Sequence, residues 1–301
     1  MRHAVILPAH DPARFHELQA AVAAVQSQNP DEIIVAIDHS PELLELARRE
    51  LAGVTVVPNR YGRGVSGTRN SGAEASDADL LVFLDSDTIP QPGWLAALAA
   101  AFADPGVVGA GGGIDPLWER RPAWLPDEFL WAYGASYPGQ PQTPGPVRNV
   151  WSANMAVRAD AFWAVGGFRT DFGKVGSRSR PEDTELCVRV AAASGGQWLY
   201  VPQARVYHRV PERYGTLRYF LSRCYNEGRG KIAMNRLVPG RQTLGPERSY
   251  LRSLPRAVWR GIADAVRGRD PLGVRRAGAV LAGLAAAGAG AVIEFSVGVV
   301  A

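Results

Sequence analysis

The chain has 301 residues, 47% hydrophobic and 21% charged, an ordinary soluble globular composition sized for one large domain or a domain with an extension. Two cysteines, Cys187 and Cys224, exclude a disulfide framework and a cysteine metal cluster, and they fit a reducing, cytoplasmic compartment. The net charge of +4 is unevenly spread: residues 1–202 carry 16 Lys/Arg and 23 Asp/Glu, a balance of −7, whereas residues 203–301 carry 17 and 6, a balance of +11. A basic tail implies anionic company (phosphates, nucleic acid or an anionic membrane face) or arginines solvated on helix surfaces.

The first apolar run, Ala4-Val5-Ile6-Leu7-Pro8, is too short for a secretory signal and reads as a buried strand over His3–Leu7. Further strands are expected at Glu32–Ile37, Val54–Val57, Leu80–Leu84 and Val107–Gly111, with helices near 12–27, 40–52, 64–76 and 92–103 between them. This alternation predicts an α/β fold with a mostly parallel central sheet and helices on both faces. The uninterrupted apolar character of the strands fits burial on both sides.

Gly62-Arg63-Gly64-Val65-Ser66-Gly67 matches the dinucleotide-binding pattern of spaced glycines and precedes a helix. Four residues separate the third strand from its first glycine, and the pattern does not open the first strand–helix–strand unit, so an NAD-dependent oxidoreductase stands as a rival reading. The fourth strand ends in Asp85-Ser86-Asp87. Residues two apart on a strand point to one side. Both carboxylates can therefore converge past the strand's C-terminal end, where open α/β sheets bind ligands. Two hard oxygen ligands suit Mg2+ or Mn2+, which usually shares its shell with water and substrate phosphates. A polar turn with an aspartate helix cap accounts for the same residues.

Residues 112–150 are rich in Pro and Gly, with Trp118, Trp124, Trp131, Tyr133 and Tyr137 interleaved; they read as an irregular segment with a loop at Pro138–Pro146, its aromatic rings packed or facing an acceptor. A helix is expected after Pro181. Ser179 and Glu182 form a capping box at its start, which leaves Asp183 and Glu185 less well explained. A carboxylate at a helix start stays ionised, as a general base must. Two short strands, Trp198–Val201 and Ala204–Tyr207, precede a helical remainder from 214. Within it, Ala277–Ile293 has no charge, but its Ala and Gly content favours packing or a membrane surface over a span.

Taken in order, these motifs over residues 3–235 resemble the inverting nucleotide-sugar glycosyltransferases of family 2, with the GT-A fold. The resemblance implies a catalytic domain over 1–212 and a basic helical extension over 213–301. It places Pro8, Ala9 and His10 at the nucleotide, Asp38 near the base, and Arg69 and Asn70 in the nucleotide loop. Asp85-Ser86-Asp87 becomes the metal motif, Asn154, Glu182 and Glu185 the acceptor side, Asp183 the catalytic base, and His208 a further metal ligand. Ile37 and His39 depart from the family pattern around Asp38. Arg69, Arg229 and Lys231 are expected either near phosphate oxygens or solvated on the surface. The implied donor is a nucleoside-diphosphate sugar, a UDP-sugar first, with Mn2+ or Mg2+. The implied acceptor is a hydroxyl in polysaccharide, glycolipid or secondary-metabolite biosynthesis, including a lipid-linked one. The expected place is cytoplasmic, with peripheral contact at the inner membrane face through the C-terminal helices and no nucleic-acid partner. A nucleotidyltransferase would need a Gly-rich, lysine-bearing loop after the first strand, where Pro8-Ala9-His10-Asp11-Pro12 stands. A non-catalytic carbohydrate- or nucleic-acid-binding protein leaves three acidic sites unexplained.

Overall fold

The computed structural model describes residues 1–175, 178–237 and 245–297. They fall into two compact units: residues 1–115 with 141–208, and residues 116–140 with 209–301. The second grouping differs from a single division at 212, because residues 116–140 belong with the C-terminal helices.

The first unit opens with β1 (His3–Ala9), α1 (Phe15–Gln26), β2 (Glu32–Ile37), α2 (Pro41–Glu50), β3 (Thr55–Pro58), α3 (Val65–Ala73) and β4 (Leu80–Leu84). These four strands lie in the order β3-β2-β1-β4 with parallel pairing throughout. Every residue of β4 and all but the first of β1 are buried, which is why both read as continuous apolar runs rather than alternating ones. The chain then forms β5 (Thr88–Pro90), α4 (Trp94–Ala100), β6 (Val107–Trp118), β7 (Gly145–Val147), β8 (Asn154–Arg158), α5 (Ala159–Ala164), β9 (Gly173–Val175), β10 (Arg178–Arg180), α6 (Glu182–Ser194) and β11 (Gln197–Val210). The full sheet runs β3-β2-β1-β4-β8-β6-β11-β5, with β7 also on β11.

Beyond β4 the described pairings are antiparallel (β4 with β8, β6 with β8, β5 and β7 with β11), so parallel pairing is confined to the N-terminal half. The expected break at residue 112 is absent: β6 continues to Trp118 through three consecutive glycines. Those glycines answer to close packing, since a Cβ on Gly112 would sit 1.8 Å from the carbonyl oxygen of Ala204. The two short runs after Gln197 are likewise one long strand.

The second unit holds a 3₁₀ segment (Asp127–Tyr133) and three helices, α7 (Leu217–Leu237), α8 (Gly245–Val266) and α9 (Gly273–Val297). Its core gathers Leu125, Phe129, Tyr133, Phe220, Cys224 and Leu254, with Trp118, Trp124 and Trp131 packed against them. These aromatic rings are therefore core packing. α9 lies backbone to backbone on α7: a Cβ on Gly228 would meet the Ala287 carbonyl at 1.9 Å, and one on Gly290 the Tyr225 carbonyl at 2.0 Å.

Candidate active site

The site grows from the C-terminal ends of β1 and β4. The chain turns to one side of β1 to build β2 and β3, then crosses to the other side for β4, and such a switch point leaves a crevice. A small open cleft lies there, lined by Ala9, His10, Asp11, Arg14, Phe15, Leu18, Leu43 and Ser86. Pro8 is buried within β1, and the Ala9 carbonyl accepts from the Asp38 amide at 2.8 Å.

Asp38, at the end of β2, ties down the glycine loop. Its Oδ1 accepts from Asn59 Nδ2 at 2.8 Å and lies 2.9 Å from His39 Nδ1, while Oδ2 accepts from the Gly64 amide at 3.0 Å. Burial works to raise its pKa, but these donors prevail and hold it below the usual carboxylate value. Gly64 sits at φ +140°, a conformation that L side chains rarely adopt. The spaced glycines thus close a loop on Asp38 after an edge strand, β3, where a dinucleotide fingerprint would follow the first strand.

Two acids far apart in sequence meet on one guanidinium. Arg69 on α3 donates from Nη2 to Asp85 Oδ1 at 2.7 Å and from Nη1 to Glu182 Oε1 at 2.9 Å. It is only 2% exposed and lies 5.5 Å from the centre of the Phe168 ring. Burial disfavours its charge, yet the two carboxylates outweigh that and raise its pKa. Arg69 therefore joins the end of β4 to the start of α6, with both terminal nitrogens engaged by acids rather than turned to a phosphate.

Asp87 points elsewhere. Its Oδ2 accepts from Arg14 Nη2 at 2.8 Å, and its Oδ1 lies 3.5 Å from His208 Nε2 on β11. Burial tends to raise its pKa, but His208 and Arg14 together hold it far below the usual carboxylate range. The 3.5 Å separation is long for a hydrogen bond. Two ligands of one octahedral ion with bonds near 2.1 Å lie about 3 Å apart, so a small closure would seat a cation between them. Among the described residues no group of three or more His, Cys, Asp or Glu side chains is spaced to hold a metal ion. Asp87 and His208 thus fit a hard divalent cation that takes its other ligands from water and phosphate. Asp85 is engaged by Arg69. Nothing in the sequence marks Arg14, which follows the Asp11-Pro12 turn and also pairs with Glu17.

Asp183 lies in the first turn of α6, where its Oδ1 accepts from the Thr184 amide at 2.6 Å. Its neighbour Glu182, held by Arg69, anchors the helix start beside β4. Three further candidates, Asn70, Asn154 and Glu185, are hydrogen-bonded within the fold. The Asn70 amide exchanges two hydrogen bonds with the Phe168 backbone, at 2.8 and 2.9 Å. Asn154, 1% exposed, donates to Gly113 and Ala204 carbonyls and accepts from Trp94 Nε1 at 2.8 Å. Glu185 is buried and grips Arg189 through both oxygens at 2.7 Å, and Arg189 in turn holds the Val165 and Gly167 carbonyls. A buried polar group must find such partners, and these satisfy it internally. In the second unit Arg229 pairs with Glu294 at 2.8 Å and Lys231 with Glu227 at 3.2 Å.

Residues 4–166 match the family described as Glycosyl transferase family 2. The chain is 27% identical over 262 residues to a glucosyl-dolichyl phosphate glucuronosyltransferase of Haloferax volcanii, covering 84% of this chain and 83% of that one. It is 28% identical over 218 residues to a validoxylamine A glucosyltransferase of Streptomyces hygroscopicus subsp. limoneus, covering 62% and 47%. Its fold is similar to that of a mannosyltransferase from Pyrobaculum calidifontis solved with GDP-Man and Mn2+, with a TM-score of 0.62 at 16% identity over 94% of this chain and 86% of that one.

Proposed function

Starting from a chain that belongs to glycosyltransferase family 2 and has the GT-A fold, we propose that it is a metal-dependent, inverting enzyme. It moves a sugar from a nucleoside-diphosphate sugar to an acceptor hydroxyl. The observation that carries this reading is the Arg69 bridge, which brings the acid closing β4 and the acid opening α6 onto one side chain. Asp87 and Asp183, the groups that would handle donor and acceptor, follow those two acids within two residues.

The roles follow from the chemistry of each group. Asp87 and His208 would hold the cation, which when bound supplies a Lewis acid that neutralises charge on the departing diphosphate. The cleft beside Ala9, His10 and Ser86 receives the nucleotide, with the loop braced by Asp38 at its edge. Asp183 accepts the proton of the acceptor hydroxyl as that oxygen attacks the anomeric carbon from the face opposite the diphosphate. The C–O bond to the sugar forms as the bond to the diphosphate breaks, and the configuration inverts. Arg69 keeps the two halves of the site in register.

The Haloferax relative is named for glucosyl-dolichyl phosphate, and by likeness we extend a lipid-linked acceptor to this chain. UDP-sugars are the first donors to test, with GDP-sugars beside them because the Pyrobaculum neighbour was solved with GDP-Man. In a thermal-shift screen, the wild-type chain should melt higher with a sugar nucleotide only when Mn2+ is present, since a ligand bound to the folded state raises its melting temperature. Asp87→Ala should abolish the Mn2+-dependent increment. An increment of equal size in Asp87→Ala and wild type would remove Asp87 from the metal site.

A further inference from the structure

We propose that the outer face of α8 docks on an anionic lipid bilayer, as a peripheral interfacial helix. At about 100° per residue, Leu251, Pro255, Trp259, Ile262 and Val266 fall within one arc of about 80°. All five face outward; Trp259 is 73% exposed and Val266 82%. The inward face is a different one, carrying Leu254 and Ala257 into the core of the unit. The outer stripe is therefore not the buried side of an amphipathic helix but a second apolar side.

The neighbouring arc of the same helix holds Arg252, Arg256 and Arg260, and Arg267 follows in the turn just past its end, all four exposed. Arg260 also pairs with Glu128. Exposed apolar side chains flanked by a row of arginines, one of them a tryptophan, are what an interfacial helix presents to lipid headgroups and the outer acyl chains. The charge fits anionic lipid: residues 203–301 carry +11. Pairing of the stripe with a second copy would add another arginine row of the same sign to the interface, whereas anionic headgroups neutralise it.

α9 extends the argument. Its stretch Gly273–Ser296 is long and apolar, and most of it is not buried within the protein. Its other face is fastened to α7 by the glycine contacts and by Glu294, which pairs with Arg229, while Arg236 holds the Glu294 and Phe295 carbonyls. A helix tied to so charged a partner lies on a bilayer rather than across it.

The proposal stands apart from the sugar-transfer reading, and its test does not involve turnover. The full chain is floated with mixed phosphatidylcholine–phosphatidylglycerol vesicles, with pure phosphatidylcholine as the neutral control. It should float with the mixed vesicles, lose binding as salt is raised, and be released by alkaline carbonate. Arg252→Gln with Arg256→Gln should weaken vesicle binding about fivefold per arginine removed. Trp259→Ser with Ile262→Ser should weaken it roughly tenfold or more while leaving the melting temperature in place, because both side chains are exposed. Absence of flotation on anionic vesicles at low salt, or equal binding by the Trp259/Ile262 variant, overturns the proposal. So does retention after the carbonate wash, or a dimer in sedimentation equilibrium that the Trp259/Ile262 variant abolishes.

Discussion

Asp183→Asn should retain metal-dependent sugar-nucleotide binding and lose transfer by about 10²–10⁴-fold, the usual contribution of a positioned general base. The substitution preserves shape and an amide oxygen that can still accept from the Thr184 amide, so the start of α6 keeps its 2.6 Å contact. What it removes is the ability to take a proton. A steady-state assay of transfer, together with calorimetric donor binding and a thermal melt, separates these. Turnover near wild type would rule out Asp183 as the base, whereas parallel loss of binding and melting temperature would mark a folding role instead.

Replacing Arg69 should disturb both halves of the site at once. Arg69→Met leaves Asp85 and Glu182 facing one another without the guanidinium that holds them at 2.7 and 2.9 Å. Breaking a buried ion network by removing one member costs about 3–5 kcal/mol. The lower end applies here, because the Asp85 side chain is 32% exposed and water can screen it. A loss of about 3 kcal/mol corresponds to a melting-temperature drop of roughly 6–12 °C for a unit of this size. Transfer should fall as well, since the acids at the ends of β4 and α6 would no longer be pinned. Arg69→Lys should be intermediate: it restores the charge but not the two-pronged geometry. Wild-type melting and turnover in Arg69→Met would show that the bridge neither stabilises nor positions anything.

These outcomes bear on what a sequence can disclose. β1, β2 and β4 are legible because strands buried on both faces need unbroken apolar runs, and no other short element demands them so strictly. The convergence of Asp85 and Asp87 past β4 follows from the two-residue period of a strand, yet the two then take different partners. That division is set by Arg69 and Arg14, whose contacts to Glu182 and Asp87 bridge 113 and 73 residues of chain. No local pattern encodes such pairs. The order of β8, β6 and β11 is hidden for the same reason, since antiparallel returns over long connections leave no periodic trace.

Asn70, Asn154 and Glu185 teach a related point. Each sits in a family-like motif, and each spends its polar atoms on the fold: a backbone exchange with Phe168, a junction of β6, β8 and β11 near Trp94, and a clamp on Arg189. A buried amide satisfying carbonyls and one facing a ligand look alike in sequence. Their burial and their partners tell them apart. The aromatic residues of 116–140 divide the same way, toward packing around Phe129 and Phe220.

The most direct test is a calorimetric titration of UDP- and GDP-sugars into protein stripped with EDTA, repeated after Mn2+ is restored. If Asp87 and His208 hold the cation that receives the diphosphate, one donor should bind measurably only with Mn2+ present. Equal affinity in the two titrations would contradict a metal-borne diphosphate, and with it the role given to Asp87.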